Sequence, residues 1–119
     1  MKHTHHSIDY FEIYVEDIAA AKSFYGEAFG WRFNDYGEDY AGIKAPDDDT
    51  DEVGGLTRGT PGSSPLVLVF SEDLDGSAQA VSAAGGEVVE GPYDYPGGRR
   101  FRFRDPSGNV LGVYQPSDA

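Results

Sequence analysis

Three polar side chains alternate along the first apolar stretch of the sequence, and their chemistry suits the binding of a small molecule. In IDYFEIYV, residues 8–15, Tyr10, Glu12 and Tyr14 alternate with apolar residues. This period of two predicts a strand with one face in a core. Tyrosine offers an aromatic face and one hydroxyl, a mixture typical of small-molecule pockets. The alternative for both tyrosines is ordinary half-buried packing.

Glu12 is the most informative of the three, because an acid on the inner face of a strand is rarely buried without a partner. It could pair with an arginine of the segment 99–104. Otherwise it could be a carboxyl group placed to move a proton. Glu12 is therefore the candidate catalytic residue, if the chain catalyses a reaction.

Arginines are concentrated in GGRRFRFRDP, residues 97–106, where Arg100, Arg102 and Arg104 alternate with Phe101 and Phe103. One interpretation is a sheet edge that nearby acidic residues neutralise. The functional alternative is a fork in which Arg102 and its neighbours bind a carboxylate or phosphate of a ligand.

The chain carries a formal net charge of −12 and contains no cysteine. Nucleic acid and anionic membranes repel such a chain, because binding to phosphates depends on Lys and Arg. The absence of cysteine excludes disulfides and thiolate-bound metals. Much of the acid lies in one region, which consists of Asp35, Glu38, Asp39, Asp47, Asp48, Asp49, Asp51 and Glu52. We interpret this region as a solvated loop; the alternative is a rim that attracts a cationic ligand.

The length of 119 residues fits one domain. No apolar run reaches the roughly 20 residues that cross a bilayer. The start, MKHTHHSIDY, lacks the apolar segment of a secretory signal. We therefore expect a cytoplasmic protein with no membrane partner.

A strand followed by a capped helix occurs twice. Asp17 is a good N-cap for a helix over 18–29 that Gly30 ends, and SEDLDGSAQAVSAAGG, residues 71–86, repeats the pattern. Three strand candidates follow each helix: 31–36, 40–45 and 53–57, then 87–93, 99–104 and 109–115. The sequence predicts an α+β fold of two βαβββ modules in a single domain, residues 1–119. Module one spans about 8–57, a linker about 58–64 and module two about 65–115.

The order of these motifs resembles the vicinal oxygen chelate superfamily, which includes lactoylglutathione lyase, bleomycin-resistance proteins and extradiol dioxygenases. The matching stretches are VEDIAAAKSFYGEAFGW near the start and FRDPSGNVLGVYQ near the end, and the resemblance covers essentially the whole chain. It implies that the modules form a curved, half-barrel mixed sheet with a cleft. It also implies a small-molecule ligand and a homodimer.

The resemblance further implies metal-ligand positions on the cleft strands, and here these positions are Tyr10, Leu66 and Gly112. A further position, near EVGGLT, is not placed. Leucine and glycine donate nothing to a metal, and neutral tyrosine is a poor ligand. None of these positions is taken by the histidines near the N-terminus, which are His3, His5 and His6. We therefore expect no metal and no other cofactor.

Three hypotheses for function follow. The first is a metal-free small-molecule-binding protein whose ligand contacts Tyr10, Glu12, Tyr14, Arg102 and Tyr114. The second is a metal-dependent lyase, isomerase or dioxygenase resembling lactoylglutathione lyase, with a divalent metal held by donors placed elsewhere, Glu12 among them. The third is a non-catalytic dimeric interaction domain. We expect the first.

Overall fold

A computed structural model describes residues 3–61 and 65–117 of the chain. The elements follow the order β1 (Ile8–Val15), α1 (Ile18–Phe29), β2 (Phe33–Asp35), β3 (Tyr40–Ala45), β4 (Asp48–Arg58), β5 (Leu66–Phe70), α2 (Leu74–Ala83), β6 (Glu87–Tyr95), β7 (Gly98–Arg104) and β8 (Val110–Pro116). The α+β class and the two successive βαβββ patterns are confirmed. Residues 62–64 of the predicted linker lie outside the described residues, and the module boundaries stay a prediction.

The chain divides into two compact units. Unit 1 is Tyr10–Leu66, and unit 2 combines the N-terminal residues up to Asp9 with the chain from Val67 onward. The first two residues of β1 therefore belong to unit 2, and the first residue of β5 belongs to unit 1. Each unit contains one helix and four strands.

In unit 1 the strands lie in the order β2, β3, β4, β1. β1 pairs with β4 in parallel, and β3 pairs with β2 and β4 in antiparallel. The core joins α1 to one face of this sheet and is formed by Ile18, Ala41, Ile43 and Leu56, with Phe11, Ile13 and Val15 packed against them. The alternation predicted for β1 is thus confirmed on its apolar side. Burial of Leu56, which is fully buried, stabilises the unit by about 1.5–3 kcal/mol.

In unit 2 the strands lie in the order β5, β8, β7, β6. β5 pairs with β8 in parallel, and β7 pairs with β6 and β8 in antiparallel. Its core consists of Leu74 from α2, Phe101 from β7 and Val113 from β8, with Val69 and Phe103 packed against them. Because Phe101 and Phe103 face α2, the arginines that alternate with them project from the opposite face.

Both helices begin at an acidic N-cap, as the sequence predicts. The carboxylate of Asp17 accepts from the N–H of Ala20, and that of Asp73 accepts from the N–H of Gly76. Gly30 ends α1 in the left-handed conformation, with a φ of 73°. No helix of the described chain is long and apolar enough to cross a membrane.

Only part of the acidic region is the loop that the sequence suggested: Glu38 and Asp39 lie between β2 and β3, whereas the residues from Asp48 onward lie on a strand. β4 begins at Asp48, five residues before the predicted start, and forms an antiparallel hairpin with β3. The extension is stable because each acid finds a local partner: Asp48 accepts from Thr50, and Asp49 pairs with Arg32. The side chains of Asp48 and Asp49 still point to solvent, so the acid is solvated although its backbone is a strand.

Gly54 on β4 provides a test of the packing of β1 against β4, and Gly26 in α1 provides the comparison. A Cβ at Gly54 would lie 2.5 Å from the backbone oxygen of Phe11, whereas a Cβ at Gly26, within α1, would make only an ordinary contact at 3.7 Å. We predict that Gly54→Ala lowers the free energy of unfolding by about 1–3 kcal/mol. Gly26→Ala should raise it by up to about 1 kcal/mol, because alanine favours helix. Urea unfolding measures both, and equal effects would contradict this packing.

Candidate functional site

The polar face of β1 lies opposite α1 and holds the first two predicted site residues. Tyr10 is half-buried and Glu12 is only 7% exposed. The flanking residues Phe11 and Ile13 pack on the core, so alternation along β1 sends the side chains of Tyr10 and Glu12 to the other face. A carboxylate at this depth needs hydrogen-bond donors nearby.

Four further side chains of unit 1 meet Tyr10 and Glu12 on this face. They come from β2, from the residue that follows β2, and from β3 and β4. Together the six residues form what we call the tyrosine–carboxylate cluster: Tyr10, Glu12, Asn34, Tyr36, Tyr40 and Glu52.

Glu52 is the acceptor at the outer end of the cluster. Its Oε2 accepts from the hydroxyl of Tyr36 at 2.5 Å and from Nδ2 of Asn34 at 2.9 Å, and its Oε1 lies 3.4 Å from the hydroxyl of Tyr10. The first two distances are those of strong hydrogen bonds, whereas the third is long. The carboxylate of Glu52 is therefore fixed chiefly by Tyr36 and Asn34.

A pair of phenols connects the two carboxylates. The hydroxyls of Tyr10 and Tyr40 lie 2.6 Å apart, and the hydroxyl of Tyr40 lies 3.3 Å from Oε2 of Glu12. Two hydroxyls supply two protons for three contacts. Donation from Tyr10 to Tyr40 and from Tyr40 to Glu12 uses the shortest contact and gives the more buried carboxylate a donor. Glu52 retains Tyr36 and Asn34 in this arrangement.

Glycine leaves the room that these side chains occupy. Gly42 on β3 and Gly55 on β4 are register partners. A Cβ at Gly42 would overlap the carboxylate of Glu52, and one at Gly55 would overlap the hydroxyl of Tyr40. Any larger residue at either position would push a member of the cluster out of place.

The surroundings keep the three tyrosines protonated. Burial, followed by the neighbouring Tyr40, raises the pKa of Tyr10 far above the ordinary 10.0. Burial and then the charge of Glu12 also raise the pKa of Tyr40, although its bond with Tyr10 lowers it. The hydrogen bond to Glu52 is the main cause that raises the pKa of Tyr36 to about 12. The cluster thus presents neutral phenols beside carboxylates.

The cluster does not fit a divalent metal. It contains two carboxylates and no imidazole, and the described residues hold no group of three or more His, Cys, Asp or Glu side chains that could bind a metal ion. A phenol with a raised pKa stays protonated and is a poor ligand. At the other predicted positions, Leu66 begins β5 and Gly112 lies on β8, and neither side chain offers a donor atom.

Two predicted site residues lie in unit 2. The hydroxyl of Tyr114 donates to Oδ1 of Asp9 at 2.7 Å. Nε of Arg102 lies 3.1 Å from Oε1 of Glu90, its partner on β6. The remaining predicted residue, Tyr14, is half-buried in unit 1. Ligand-binding roles for these three residues stay predictions, as does the pairing of Glu12 with an arginine of β7.

Two other arginines of β7, Arg99 and Arg104, also have acidic neighbours. Arg99 lies 3.3 Å from Asp75 and 3.5 Å from Asp94, and Arg104 lies 2.9 Å from Glu87. These exposed pairs favour the interpretation that acidic residues neutralise these arginines. The predicted sheet edge is wrong, because β7 pairs with β6 on one side and with β8 on the other.

Sequence reasoning missed four members of the cluster, which are Asn34, Tyr36, Tyr40 and Glu52. The stretch YAGIKA, in which Tyr40, Gly42 and Lys44 alternate with buried residues, carries the signal for Tyr40. Glu52 is the first residue of the EVGGLT segment, residues 52–57, in which no clear period is visible. The pairing of β3 with β4 shifts register around Lys44, opposite Glu52, and this irregularity breaks the alternation.

The pKa of Tyr36 leads to a prediction at alkaline pH. The unfolded chain releases this proton near pH 10, while the folded chain retains it until about pH 12. The free energy of unfolding should therefore fall as the pH rises through this window. Glu52→Gln removes the carboxylate that is the main cause of the raised pKa of Tyr36, so the free energy of unfolding should fall less in this variant. Urea unfolding at several alkaline pH values measures it, with Tyr36→Phe as the control; identical slopes in all three proteins would contradict the assignment.

Comparison with known proteins agrees with this fold. A family model described as the Glyoxalase/Bleomycin resistance protein/Dioxygenase superfamily matches residues 7–113. The chain is 30% identical to the anthracycline biosynthesis protein DauV of Streptomyces sp. (strain C5), over 95% of this chain and 42% of that protein. It is 26% identical to the putative glyoxylase CFP32 of Mycobacterium bovis, over 87% of this chain and 43% of that protein.

Among solved structures, the chain is similar to the Mn(II)-bound glyoxalase from Novosphingobium aromaticivorans, with 27% identity and a TM-score of 0.65. That match covers 91% of this chain and 38% of the other. The chain spans 42–57% of the length of the first four curated relatives it matches. Because the family model spans nearly the whole chain, the chain belongs to the Glyoxalase/Bleomycin resistance protein/Dioxygenase superfamily.

Proposed function

We propose that this chain is a metal-free member of the superfamily that binds a small molecule at the tyrosine–carboxylate cluster. The observation that carries the proposal is the state of Tyr10. The resemblance makes this residue the first metal-ligand position, yet here it is a protonated phenol bonded to Tyr40 at 2.6 Å. A side chain already committed to this bond has little to offer a metal.

The chemistry of the cluster defines the class of ligand. Glu12 and Glu52 are acceptors, and the phenols of Tyr36 and Tyr40 supply aromatic surface together with hydroxyl groups. Such a face favours a ligand with hydrogen-bond donors or a positive charge. The net charge of −12 would attract a cation at long range. The relatives named for anthracycline biosynthesis and as a putative glyoxylase support a small organic molecule as the ligand.

The roles of the individual residues follow from their positions. Glu12 lies deepest and accepts from Tyr40, so it is the group placed to take a proton from a bound ligand if a reaction occurs. Tyr36, which is 59% exposed, is placed to meet the ligand first. The sequence also predicts Tyr14, Arg102 and Tyr114 as ligand contacts, and these three stay predictions outside the cluster. A homodimer is part of the same proposal.

A metal-dependent activity is the second candidate, and the 27% identity to an Mn(II)-bound glyoxalase favours it. Glu12 and Glu52 would be its carboxylate donors. A divalent ion of this class takes several oxygen or nitrogen ligands, so this candidate needs donors beyond the two carboxylates of the cluster. The third candidate, a non-catalytic dimeric interaction domain, predicts that no small molecule stabilises the protein.

Metal content separates the first two candidates. We predict that protein purified without a histidine tag contains substoichiometric manganese, nickel, zinc and iron by elemental analysis. Its melting temperature should also be unchanged by a chelator or by added Mn²⁺, because a metal bound to the native state would stabilise it. A stoichiometric ion that Glu12→Gln or Glu52→Gln removes would favour the metal-dependent activity instead.

Ligand binding tests the site itself. We predict that a thermal-shift screen of aromatic cations and polyhydroxylated aromatic compounds identifies compounds that stabilise the protein. Glu12→Gln should weaken their binding by about tenfold or more, since a hydrogen bond to a charged group contributes roughly 1.5–3 kcal/mol. The matched control is Glu16→Gln, which removes the same charge from an exposed position just after β1. Equal binding by both variants would place the ligand elsewhere.

A further inference from the structure

The N-terminal segment is an integral part of unit 2. The N–H of His6 donates to the carbonyl of Phe70 at 2.7 Å, and the N–H of Phe70 donates to the carbonyl of Ser7 at 2.9 Å. Nδ1 of His5 accepts from the N–H of Glu72 at 2.9 Å. These bonds hold the segment along the end of β5, so His3 reaches a fixed place on the unit.

The imidazole of His3 lies against two aromatic rings. It stacks on Phe70 with a centroid distance of 4.6 Å and an interplanar angle of 8°, and it meets Tyr114 edge-on at 6.3 Å. Phe70 and Tyr114 are register partners on β5 and β8 and are themselves packed edge-to-face at 5.7 Å. The two strands thus form an aromatic corner with one face for a flat ring.

A buried carboxylate closes this corner. The side chain of Asp9 is only 6% exposed. Its Oδ2 accepts from Nδ1 of His3 at 2.7 Å, and its Oδ1 accepts from the hydroxyl of Tyr114 at 2.7 Å. Tyr114 thus orients the carboxylate, and the carboxylate in turn selects the N–H edge of the ring that lies on Phe70.

We propose that Phe70, Tyr114 and Asp9 form a binding site for a flat nitrogen heterocycle that carries an N–H donor, and that His3 of the same chain occupies this site as an internal ligand. The proposal goes beyond the tyrosine–carboxylate cluster, because all four residues belong to unit 2. The site favours a ring that carries an N–H donor. A ring without N–H would bury the charge of Asp9 without adding a hydrogen bond to the one from Tyr114.

His3 is suited to exchange with a ligand. Its side chain is 44% exposed, so it can leave without opening the core of unit 2. A tethered ring competes through an effective concentration that is in the millimolar range or higher for a short tether. An external ring must overcome this competition, so removal of His3 should increase the affinity of the site.

The test replaces the internal ligand with an external one. Imidazole is titrated into the wild-type protein and the variant His3→Gly, with binding followed from the amide and ring NMR signals of Phe70 and Tyr114. We expect His3→Gly to bind imidazole at least about tenfold more tightly than the wild-type protein. The matched control is Thr4→Gly, which introduces the same glycine into the same segment at an exposed side chain, removes no imidazole and should behave as the wild-type protein does. Equal affinities in all three proteins would overturn the proposal.

A second probe tests the role of the carboxylate. 1-Methylimidazole has a similar ring but no N–H, and at about pH 9, roughly two units above the ordinary imidazole pKa, both compounds are neutral. His3→Gly should bind imidazole several-fold more tightly than 1-methylimidazole, and Asp9→Asn in this background should reduce the difference. Equal binding of the two probes would overturn the selection by Asp9. Imidazole binding that is unchanged by Glu12→Gln would separate this site from the cluster in unit 1.

Discussion

A nearly buried carboxylate governs the arrangement of unit 1. Glu12 is 7% exposed on a sheet whose opposite face packs against α1. An ionised carboxylate at such a position costs several kcal/mol unless donors surround it. The phenol of Tyr40 supplies a donor, and Tyr10 supplies the proton that fixes the orientation of Tyr40. Gly55 must then remain without a side chain, because the hydroxyl of Tyr40 occupies its place.

The same donors support the proposal that this face binds no metal. A metal ion would stabilise clustered carboxylates with its positive charge, whereas phenols stabilise them by donating hydrogen bonds. The phenols hold their protons firmly, because burial raises the pKa of Tyr10 and Tyr40. A ligand that brings its own positive charge or donors could add to this network without displacing it. This is the physical basis on which we propose an organic ligand for the cluster.

The sequence predicted the parts of this arrangement that depend on local periodicity. Alternation in β1 identified Tyr10 and Glu12, and the acidic caps together with Gly30 identified both helices. Alternation fails where pairing is irregular. The register shift around Lys44 breaks the alternation that would identify Glu52, and residues 48–52 of the acidic region form the start of β4 with local hydrogen bonds. Glu52 was thus interpreted as part of a solvated surface, although it anchors the cluster.

The sequence also could not predict contacts between residues that lie far apart in the chain. His3 was assigned no site because the resemblance placed no ligand there. Its position depends on Phe70 and Tyr114, which lie 67 and 111 residues later in the chain. The sequence did predict a ligand role for Tyr114, but it could not predict that Asp9 accepts a hydrogen bond from the hydroxyl of Tyr114. Only the pairing of β5 with β8 brings these side chains together.

The two units place residues of different polarity at corresponding positions of a parallel strand pair. In unit 1, Glu12 on β1 lies opposite Gly55 on β4, and in unit 2, Leu68 on β5 lies opposite Gly112 on β8. Gly55 lies beside the hydroxyl of Tyr40, and Gly112 is the register partner of Arg102 on β7. In unit 1 this position holds the carboxylate of Glu12 with its phenol donors, whereas in unit 2 it holds the buried side chain of Leu68. The two strand pairs thus share a backbone register, although the side chains at this position differ in polarity.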